Sequence, residues 1–412
     1  MQIFRNAIKV GGLGLLVGLL SWRILVVGLA EYYTVQDTPQ AVAAALGWHA
    51  DDPAALYQQG HALLEREPAA AGPLLQASIW ADPTDALAYL ALADLRAETG
   101  RLPTAVALAE VADALGPMSS PALARSAAFW FNHDRPERGL DRWSTLLRTR
   151  PAAADRLYPA LLGLADNPAT RSLLQPLLER PPDWWDRFFT YEADKAPRPE
   201  TVMFLYQGRN RAGAFPSDLE QRVYLERLWK DRRWRDAHQA WLGGLDEHAQ
   251  TGLGQIYNGG FELPVTGIGF DWRITSARGI TVETIPTYGS SGRRSLHVAF
   301  EGMGERFGHV QQLLYLEPGR YQLRGRVRPD GLPPRQGLRW AVRCNESQEQ
   351  PLAATEAFGG KDDWQPFTLD FGVPAADCPV QTLRLEQKPR VGAGDEAQGG
   401  VWFDDLTINR GG

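Results

Sequence analysis

A fixed spacing between prolines constrains the fold of this chain more than any other feature. Pro83, Pro117 and Pro151 follow one another at intervals of about 34 residues, and apolar and small residues recur between them in one register. A repeat of that length holds two helices, and each helix pair exposes an apolar flank that only a neighbouring pair covers. The spacing therefore predicts an α-solenoid, a stack of helix pairs with a concave face.

The residues between these prolines resemble the tetratricopeptide repeat (TPR) family. With one residue of slippage in the first unit, the matching positions are Leu56, Gly60, Ala71, Ser78, Ala86, Tyr89, Leu92, Ala93, Gly100, Ala105, Ala112, Leu123, Ala127, Trp130, Gly139 and Trp143. The resemblance implies a scaffold whose repeats bind a protein partner. The register weakens after Pro151 and resumes over 218–245, so we expect TPR-like helices throughout residues 37–252.

An apolar stretch near the amino terminus predicts a transmembrane helix. Residues 10–30 number about 21, enough to cross a bilayer, and Arg23 interrupts them. Either this arginine snorkels to a headgroup layer or it meets an acidic group on another membrane protein. A cleaved signal sequence is the alternative, because Gly28-Leu29-Ala30 offers the small residues that a signal peptidase reads.

The charges that flank this stretch predict its orientation. Arg5 and Lys9 precede it, whereas Glu31 and Asp37 follow it, so the positive-inside rule keeps the amino terminus in the cytoplasm. We therefore expect a single-pass protein of a bacterial inner membrane, with residues 1–36 as cytoplasmic tip and anchor and the bulk of the chain in the periplasm.

Charge and motifs exclude several classes of function. The net charge of −6 gives no basic footprint for nucleic acid. The sequence has no nucleophile elbow, phosphate-binding loop or zinc-protease motif, so we expect no enzyme. A polysaccharide hydrolase with two carboxylates distant in sequence would leave no motif, and the adjacent pairs Asp362-Asp363 and Asp404-Asp405 point to opposite faces of a strand.

The pattern changes at about Gly252, and residues 256–412 read as a β-sandwich. Short alternating runs separated by glycine and proline predict strands over 295–300, 321–328, 338–344, 367–371, 381–386 and 401–408. The predicted fold class is multidomain α + β: a transmembrane helix, a TPR-like α-solenoid and a carboxyl-terminal β-sandwich.

Both ends of this distal region resemble galactose-binding-like jelly rolls, which include several carbohydrate-binding modules. The resemblance rests on 258–262 (Asn-Gly-Gly-Phe-Glu), 269–272 (Gly-Phe-Asp-Trp) and 401–406 (Val-Trp-Phe-Asp-Asp-Leu). It implies a structural Ca²⁺ held by Glu262 with Asp404 or Asp405, since hard oxygen ligands suit this ion. Carboxylates satisfied by hydrogen bonds are the alternative.

A carbohydrate site needs flat apolar rings with polar groups around them. Trp272, Tyr288 and Trp364 are the candidate rings, whereas Trp340 shares the parity of core residues. Trp364 lies just before a predicted strand, a position that also serves to close the end of such a barrel.

Outward-facing arginines are the most distinctive candidate for recognition. Arg324, Arg326 and Arg328 alternate with inward residues, and Arg339 and Arg343 join them on one face if the two strands are neighbours. Forked guanidinium groups bind carboxylate or sulfate, as in an acidic polysaccharide. The alternative is a face neutralised by acids such as Glu283 and Glu386.

The two cysteines, Cys344 and Cys378, pair if the compartment is oxidising and otherwise act as small apolar fillers. The whole layout resembles the membrane-anchored repeat proteins of bacterial exopolysaccharide systems. This resemblance implies a non-catalytic periplasmic scaffold whose repeats hold a synthesis or export protein and whose sandwich binds glycan. An assembly scaffold that binds only protein is the alternative.

Overall fold

The computed structural model describes the chain except residues 1, 212, 214, 276–277, 303–306, 332–337, 347–349, 360–362, 388–396 and 412. The side chains of 2–12, 301–302 and 397–398 are also outside the described part. Asp362, one member of the adjacent pair Asp362-Asp363, therefore lies outside the described residues. The chain forms two compact units, Met1–Trp185 and Asp186–Gly412.

The first unit is helical. Its helices are α1 (Gln2–Thr34), α2 (Pro39–Trp48), α3 (Pro53–Leu63), α4 (Pro68–Ala81), α5 (Ala86–Glu98), α6 (Leu102–Leu115), α7 (Ser120–Asn132), α8 (Pro136–Thr149), α9 (Ala154–Asp166) and α10 (Gln175–Glu179).

Helices α3–α4, α5–α6 and α7–α8 are the three repeat units that the proline spacing predicts. Pro83, Pro117 and Pro151 follow α4, α6 and α8, where a proline cannot continue the preceding helix. Small residues permit close helix contact: a Cβ on Gly60 would lie 2.9 Å from the Leu75 side chain. The TPR-like solenoid of the predicted fold class is therefore confirmed.

The second unit begins with α11 (Trp185–Lys195), α12 (Pro199–Arg211), α13 (Asp218–Lys230), α14 (Trp234–Gly243) and α15 (Glu247–Gln250). Its strands are β1 (Arg273–Ile274), β2 (Ile280–Pro286), β3 (Arg294–Gly302), β4 (Val310–Leu314), β5 (Gly319–Asp330), β6 (Leu338–Cys344), β7 (Ala353–Ala354), β8 (Gln365–Val373), β9 (Gln381–Gln387) and β10 (Ala397–Arg410).

These strands form two five-stranded antiparallel sheets, which confirms the predicted sandwich. Sheet 1 has the order β1-β4-β9-β6-β7, and sheet 2 has the order β2-β3-β10-β5-β8. Alternating side chains of both sheets meet in one core, and Trp272, Trp340 and Phe403 are among its fully buried members. The parity that assigns Trp340 to the core therefore holds.

Helix α1 is the candidate membrane span. Residues Leu13–Thr34 are long and apolar enough to cross a bilayer, with a mean hydropathy of 2.1 in the most apolar window. A signal sequence at this position would have the same properties. The structure thus confirms a helix of the right length and composition, and the membrane and orientation stay predictions.

A disulfide joins Cys344, at the end of β6, to Cys378, in the loop before β9. Its two residues are 34 apart in sequence, and both side chains are buried. Closing a loop of this length restricts the unfolded chain, which stabilises the folded state by about 3 to 4 kcal/mol in the chain-entropy description.

We predict that replacing both cysteines with serine lowers the free energy of unfolding by about 3 kcal/mol. Chemical denaturation of wild type and double variant measures this difference. Thiol labelling of denatured protein provides the control: wild type reacts only after reduction. Two thiols that react without reductant would contradict the disulfide.

Candidate functional site

The outward arginines of β5 lie on sheet 2. Leu323, Gly325 and Val327 face the core, which places Arg324, Arg326 and Arg328 on the opposite face. No ion pair joins Arg324 or Arg328 to an acidic residue within the described part of the chain. The outer face of sheet 2 therefore carries cationic groups that its own carboxylates do not neutralise in full.

Arg339 and Arg343 do not join this face, so that part of the prediction is wrong. Their strand β6 lies in sheet 1, because the chain crosses between sheets after β5. Arg343 Nη2 and Arg339 Nη2 donate hydrogen bonds of 2.8 Å and 3.0 Å to Glu386 Oε1. Burial alone would raise the pKa of Glu386, but the two guanidinium groups hold it below its usual value. Arg339, Arg343 and Glu386 therefore form an ion cluster within sheet 1.

Trp272 is not a platform for ligand, and the reason is its complete burial. The side chain has no exposed surface, and its indole N–H donates to the Asn258 carbonyl at 3.1 Å. Its ring packs against Phe261 and Trp340, with centroids 5.2 Å and 5.7 Å away. Trp272 thus anchors the core of the sandwich.

Stacked rings and cations cross the outer face of sheet 2. The Arg328 guanidinium lies between two indoles, 5.4 Å from the centre of Trp364 and 4.9 Å from that of Trp402. Arg326 also lies over Trp364, at 5.0 Å. On its other side Trp402 stacks on His297, with centroids 3.9 Å apart and planes at 17°. We call this row of five side chains the Trp–Arg ladder.

Strand register explains why the ladder forms. Trp402 on β10 is the direct partner of Arg328 on β5 and of His297 on β3, so the three side chains are cross-strand neighbours. Trp364 comes immediately before β8, whose Gln365 pairs with Val327. Each cation therefore lies beside the face of an indole, the position that the ring quadrupole favours.

The turn between β2 and β3 covers one end of the ladder. Arg328 donates to the Tyr288 carbonyl at 3.3 Å, and Arg326 donates to the Gly289 carbonyl at 3.3 Å and to Ser291 Oγ at 2.9 Å. The Tyr288 side chain is 96% exposed above these contacts. Of the three predicted rings, Tyr288 is therefore the exposed one, while Trp364 is half-buried and contacts two arginines.

The indole N–H groups of Trp364 and Trp402 are buried and have no hydrogen-bond partner among the described residues. A buried donor without an acceptor costs about 1 to 3 kcal/mol. An acceptor oxygen brought against these donors would remove that cost. The guanidinium groups of the ladder suit anionic oxygens better than the face of a neutral sugar, and the two indole donors lie buried beside them.

The carboxylates predicted to hold calcium already accept hydrogen bonds. Glu262 Oε1 accepts the backbone N–H groups of Arg293 and Arg294 at 2.8 Å and 2.9 Å. Asp404 accepts those of Ser291 and Asp405, and Asp405 bonds the Ser291 hydroxyl. Burial raises the pKa of Asp404 against these bonds.

Oxygens that face N–H donors do not fit a cation site as they stand. Among the described residues, no group of three His, Cys, Asp or Glu side chains is arranged to hold a metal ion. The arrangement favours hydrogen-bonded carboxylates that fix the turn between β2 and β3. Calcium stays a prediction, which a thermal shift with calcium and with chelator would test.

Sequence reasoning missed two members of the ladder, Trp402 and His297. Trp402 stands between the core residues Val401 and Phe403, so alternation alone would have placed it outward. Its neighbours could not be found from sequence, because β10 pairs with β3 and β5, which are distant along the chain.

No protein-family profile and no curated protein matches this chain. Some solved structures are similar to part of it. A structure described as "CBM4 structure and function" has 18% identity and a TM-score of 0.30, covering 38% of this chain and 99% of its own. The complex of TmCBM61 with β-1,4-galactotriose has 17% identity and a TM-score of 0.25, covering 39% and 99%.

Another similar structure is PilF from Pseudomonas aeruginosa, with 18% identity and a TM-score of 0.23. It covers 48% of this chain and 79% of its own. MamA also has 18% identity, with a TM-score of 0.25 and coverage of 32% and 79%. Similarities at this level add nothing to what the described helices and sheets establish, so the functional argument rests on the ladder itself.

Burial of His297 predicts a pH dependence of stability. Desolvation is the main cause that lowers the pKa of His297, and nearby Arg328 acts in the same direction, while Glu283 and Asp330 oppose it. The unfolded chain then binds a proton more tightly than the folded chain does. The free energy of unfolding therefore decreases as the pH falls below about 6.5, the ordinary pKa of histidine. We expect His297→Gln to flatten this part of the curve.

Chemical denaturation of both proteins between about pH 7.5 and pH 5.5 measures the effect, because this interval brackets the ordinary histidine pKa. His248→Gln is the control, because it makes the same replacement at an exposed histidine of α15, outside the sandwich, and should leave the curve unchanged. Parallel curves for wild type and His297→Gln would contradict the prediction.

Proposed function

We propose that this protein is a non-catalytic, membrane-anchored scaffold of the bacterial envelope that binds acidic glycan through the outer face of sheet 2 and a protein partner through its repeats. One observation carries the glycan part: the Trp–Arg ladder holds the guanidinium groups of Arg326 and Arg328 against two indoles, next to the backbone of the exposed Tyr288.

The chemistry of the ladder supports an acidic sugar. Among the described residues, Arg328 donates one hydrogen bond, to the Tyr288 carbonyl, which leaves its other N–H groups for a carboxylate or sulfate. A hydrogen bond to a charged group contributes about 1.5 to 3 kcal/mol. The open face of Tyr288 next to it can stack on a pyranose ring. Each residue of a uronic acid polymer offers both a carboxylate for Arg328 and a pyranose ring for Tyr288.

A cavity in the first unit supports protein binding by the repeats. It has a volume of about 760 Å³ and is lined by the first helices of the three repeat units, α3, α5 and α7. Arg125 lies in its wall, where it donates to Asp94 at 3.0 Å and to the Tyr57 hydroxyl at 3.1 Å. Polar groups held in this way suit an extended peptide, whose backbone needs donors and acceptors.

The disulfide and α1 support a location outside the cytosol. Disulfides persist in oxidising compartments such as the periplasm. A helix long enough to span the bilayer, followed by Glu31 and Asp37, would place both units there. We propose that the protein serves polysaccharide synthesis or export at this location, with envelope proteins of that machinery as its partners.

We predict that the full-length protein in nanodiscs binds polygalacturonate and that Arg328→Ala weakens the affinity by about 10- to 100-fold, the equivalent of a charged hydrogen bond. Trp402→Ala should weaken it similarly, because the indole positions Arg328. Isothermal titration calorimetry measures both. Raising the salt concentration should weaken binding further, since the contacts are charged.

Arg410→Ala is the matched control, because this exposed arginine of β10 pairs with Glu317 away from the ladder. It should bind as wild type does. If wild type binds neither acidic nor neutral glycans, the protein-only scaffold is the better account. Release of reducing ends from the polymer would show a hydrolase and contradict the non-catalytic role.

A further inference from the structure

Helix α1 does not remain isolated along its whole length. From Val26 onward one face is buried, and its Ala30 packs against Val42 and Ala45 of α2 and Ala55 of α3. Gln58 of α3 also donates to the Thr34 carbonyl at 2.9 Å. The last third of α1 is therefore part of the first helical layer of this unit.

Arg23 has a partner within the chain. Its Nη1 lies 3.2 Å from Nε2 of His49, which follows α2, and Nδ1 of His49 is 3.6 Å from Asp52 Oδ2. Asp52 also caps α3 by accepting the Ala55 N–H at 2.9 Å. Arg23 thus lies level with a polar loop that contains two aspartates, Asp51 and Asp52, and this loop would be costly to place in hydrocarbon.

Other loops lie on the same edge of this unit. Ser78 near the end of α4 donates to the Pro53 carbonyl at the start of α3, and a Cβ on Gly116 after α6 would lie 2.9 Å from that of Ala86 at the start of α5. Three exposed apolar side chains stand here, one at each loop: Trp48, Trp80 (87% exposed) and Met118 (63% exposed). We use the name boundary edge for the loops that follow α2, α4 and α6, together with Trp22 and Arg23 of α1.

We propose that the boundary edge rests on the outer headgroup layer of the bilayer, with hydrocarbon ending at Trp22 and α2 standing outside it. The inference rests on the proposed membrane anchor. Tryptophan and arginine are favoured at membrane–water interfaces, where an apolar body meets water or phosphate. The proposal takes a zwitterionic surface, because anionic lipid would repel Asp51 and Asp82 on the same edge.

The length of α1 agrees with this boundary. Because the end of α1 packs against α2 and α3, this boundary moves the spanning segment from Leu13–Thr34 toward the amino terminus. The segment from Gln2 to Trp22 has about 21 residues, or roughly 31 Å, and the hydrocarbon core is about 30 Å thick. Arg5 and Lys9 lie in the first half of this segment, and long basic side chains at such positions extend toward headgroups. The result would be a repeat stack seated edge-on at the membrane, with the orientation of its cavity fixed by several contacts instead of one helix.

Site-directed spin labels test the boundary in the full chain, in phosphatidylcholine nanodiscs and with the native disulfide intact. Labels go on Gly47→Cys, Ala81→Cys and Ser119→Cys, which lie beside the three apolar residues and leave them in place. Leu16→Cys reports on the anchor, and Arg101→Cys, in the turn at the opposite edge between α5 and α6, is the aqueous control.

We expect accessibility to oxygen relative to a water-soluble nickel complex to be highest at Leu16→Cys, intermediate at the three boundary positions and several-fold lower at Arg101→Cys. If the labels at Ala81→Cys and Ser119→Cys are exposed to water while the label at Leu16→Cys lies in hydrocarbon, the boundary edge does not contact the bilayer. This result would overturn the inference and leave the proposed membrane anchor intact. A label at Gly47→Cys as deep as that at Leu16→Cys would also overturn it, because α2 would then be inserted. A water-exposed Leu16→Cys would refute the anchor itself.

Discussion

The alternation of side chains along β5 and β10 is the constraint on which the candidate site depends. The core of the sandwich contains Leu323, Val327 and Phe403. Because successive side chains of a strand point to opposite faces, the residues next to them lie on the outer face. Antiparallel pairing then sets Arg328 beside Trp402. A shift of one residue in register would exchange core and ladder, so folding of the sandwich and assembly of the site are one event.

The helical unit uses small residues for a comparable purpose. Ala93, Ala105 and Ala109 are fully buried, which lets neighbouring helices approach and leaves large side chains for the edges and the cavity. Polar groups such as Arg125 can then remain in the cavity wall, and tryptophans can stand at loops. The two units therefore separate the tasks that we propose: the sandwich recognises glycan, and the repeats hold protein at the membrane surface.

Local patterns predicted much of this architecture. The proline spacing gave three repeat units, and all six strands expected from alternation are present. Alternation does not predict strand β4, because Gln312 occupies a core position in place of an apolar side chain, where its amide forms hydrogen bonds with the Tyr257 backbone. The pairing of strands that are distant in sequence could not be predicted. Nothing in residues 338–344 indicates that β6 belongs to sheet 1, so the prediction for Arg339 and Arg343 assigns them to the wrong face. Trp272 was misassigned because an aromatic ring suits a core as well as a platform.

The most direct test of the central claim follows the indole N–H groups themselves. Nitrogen-15 spectra of tryptophan-labelled protein would be recorded during titration with oligogalacturonate, with signals assigned by single Trp→Phe replacement. The account predicts that the Nε1–H signals of Trp364 and Trp402 shift together and saturate, while that of Trp272, bonded to the Asn258 carbonyl in the core, stays in place. Saturable shifts confined to other tryptophans, or none at either ladder indole, would contradict it.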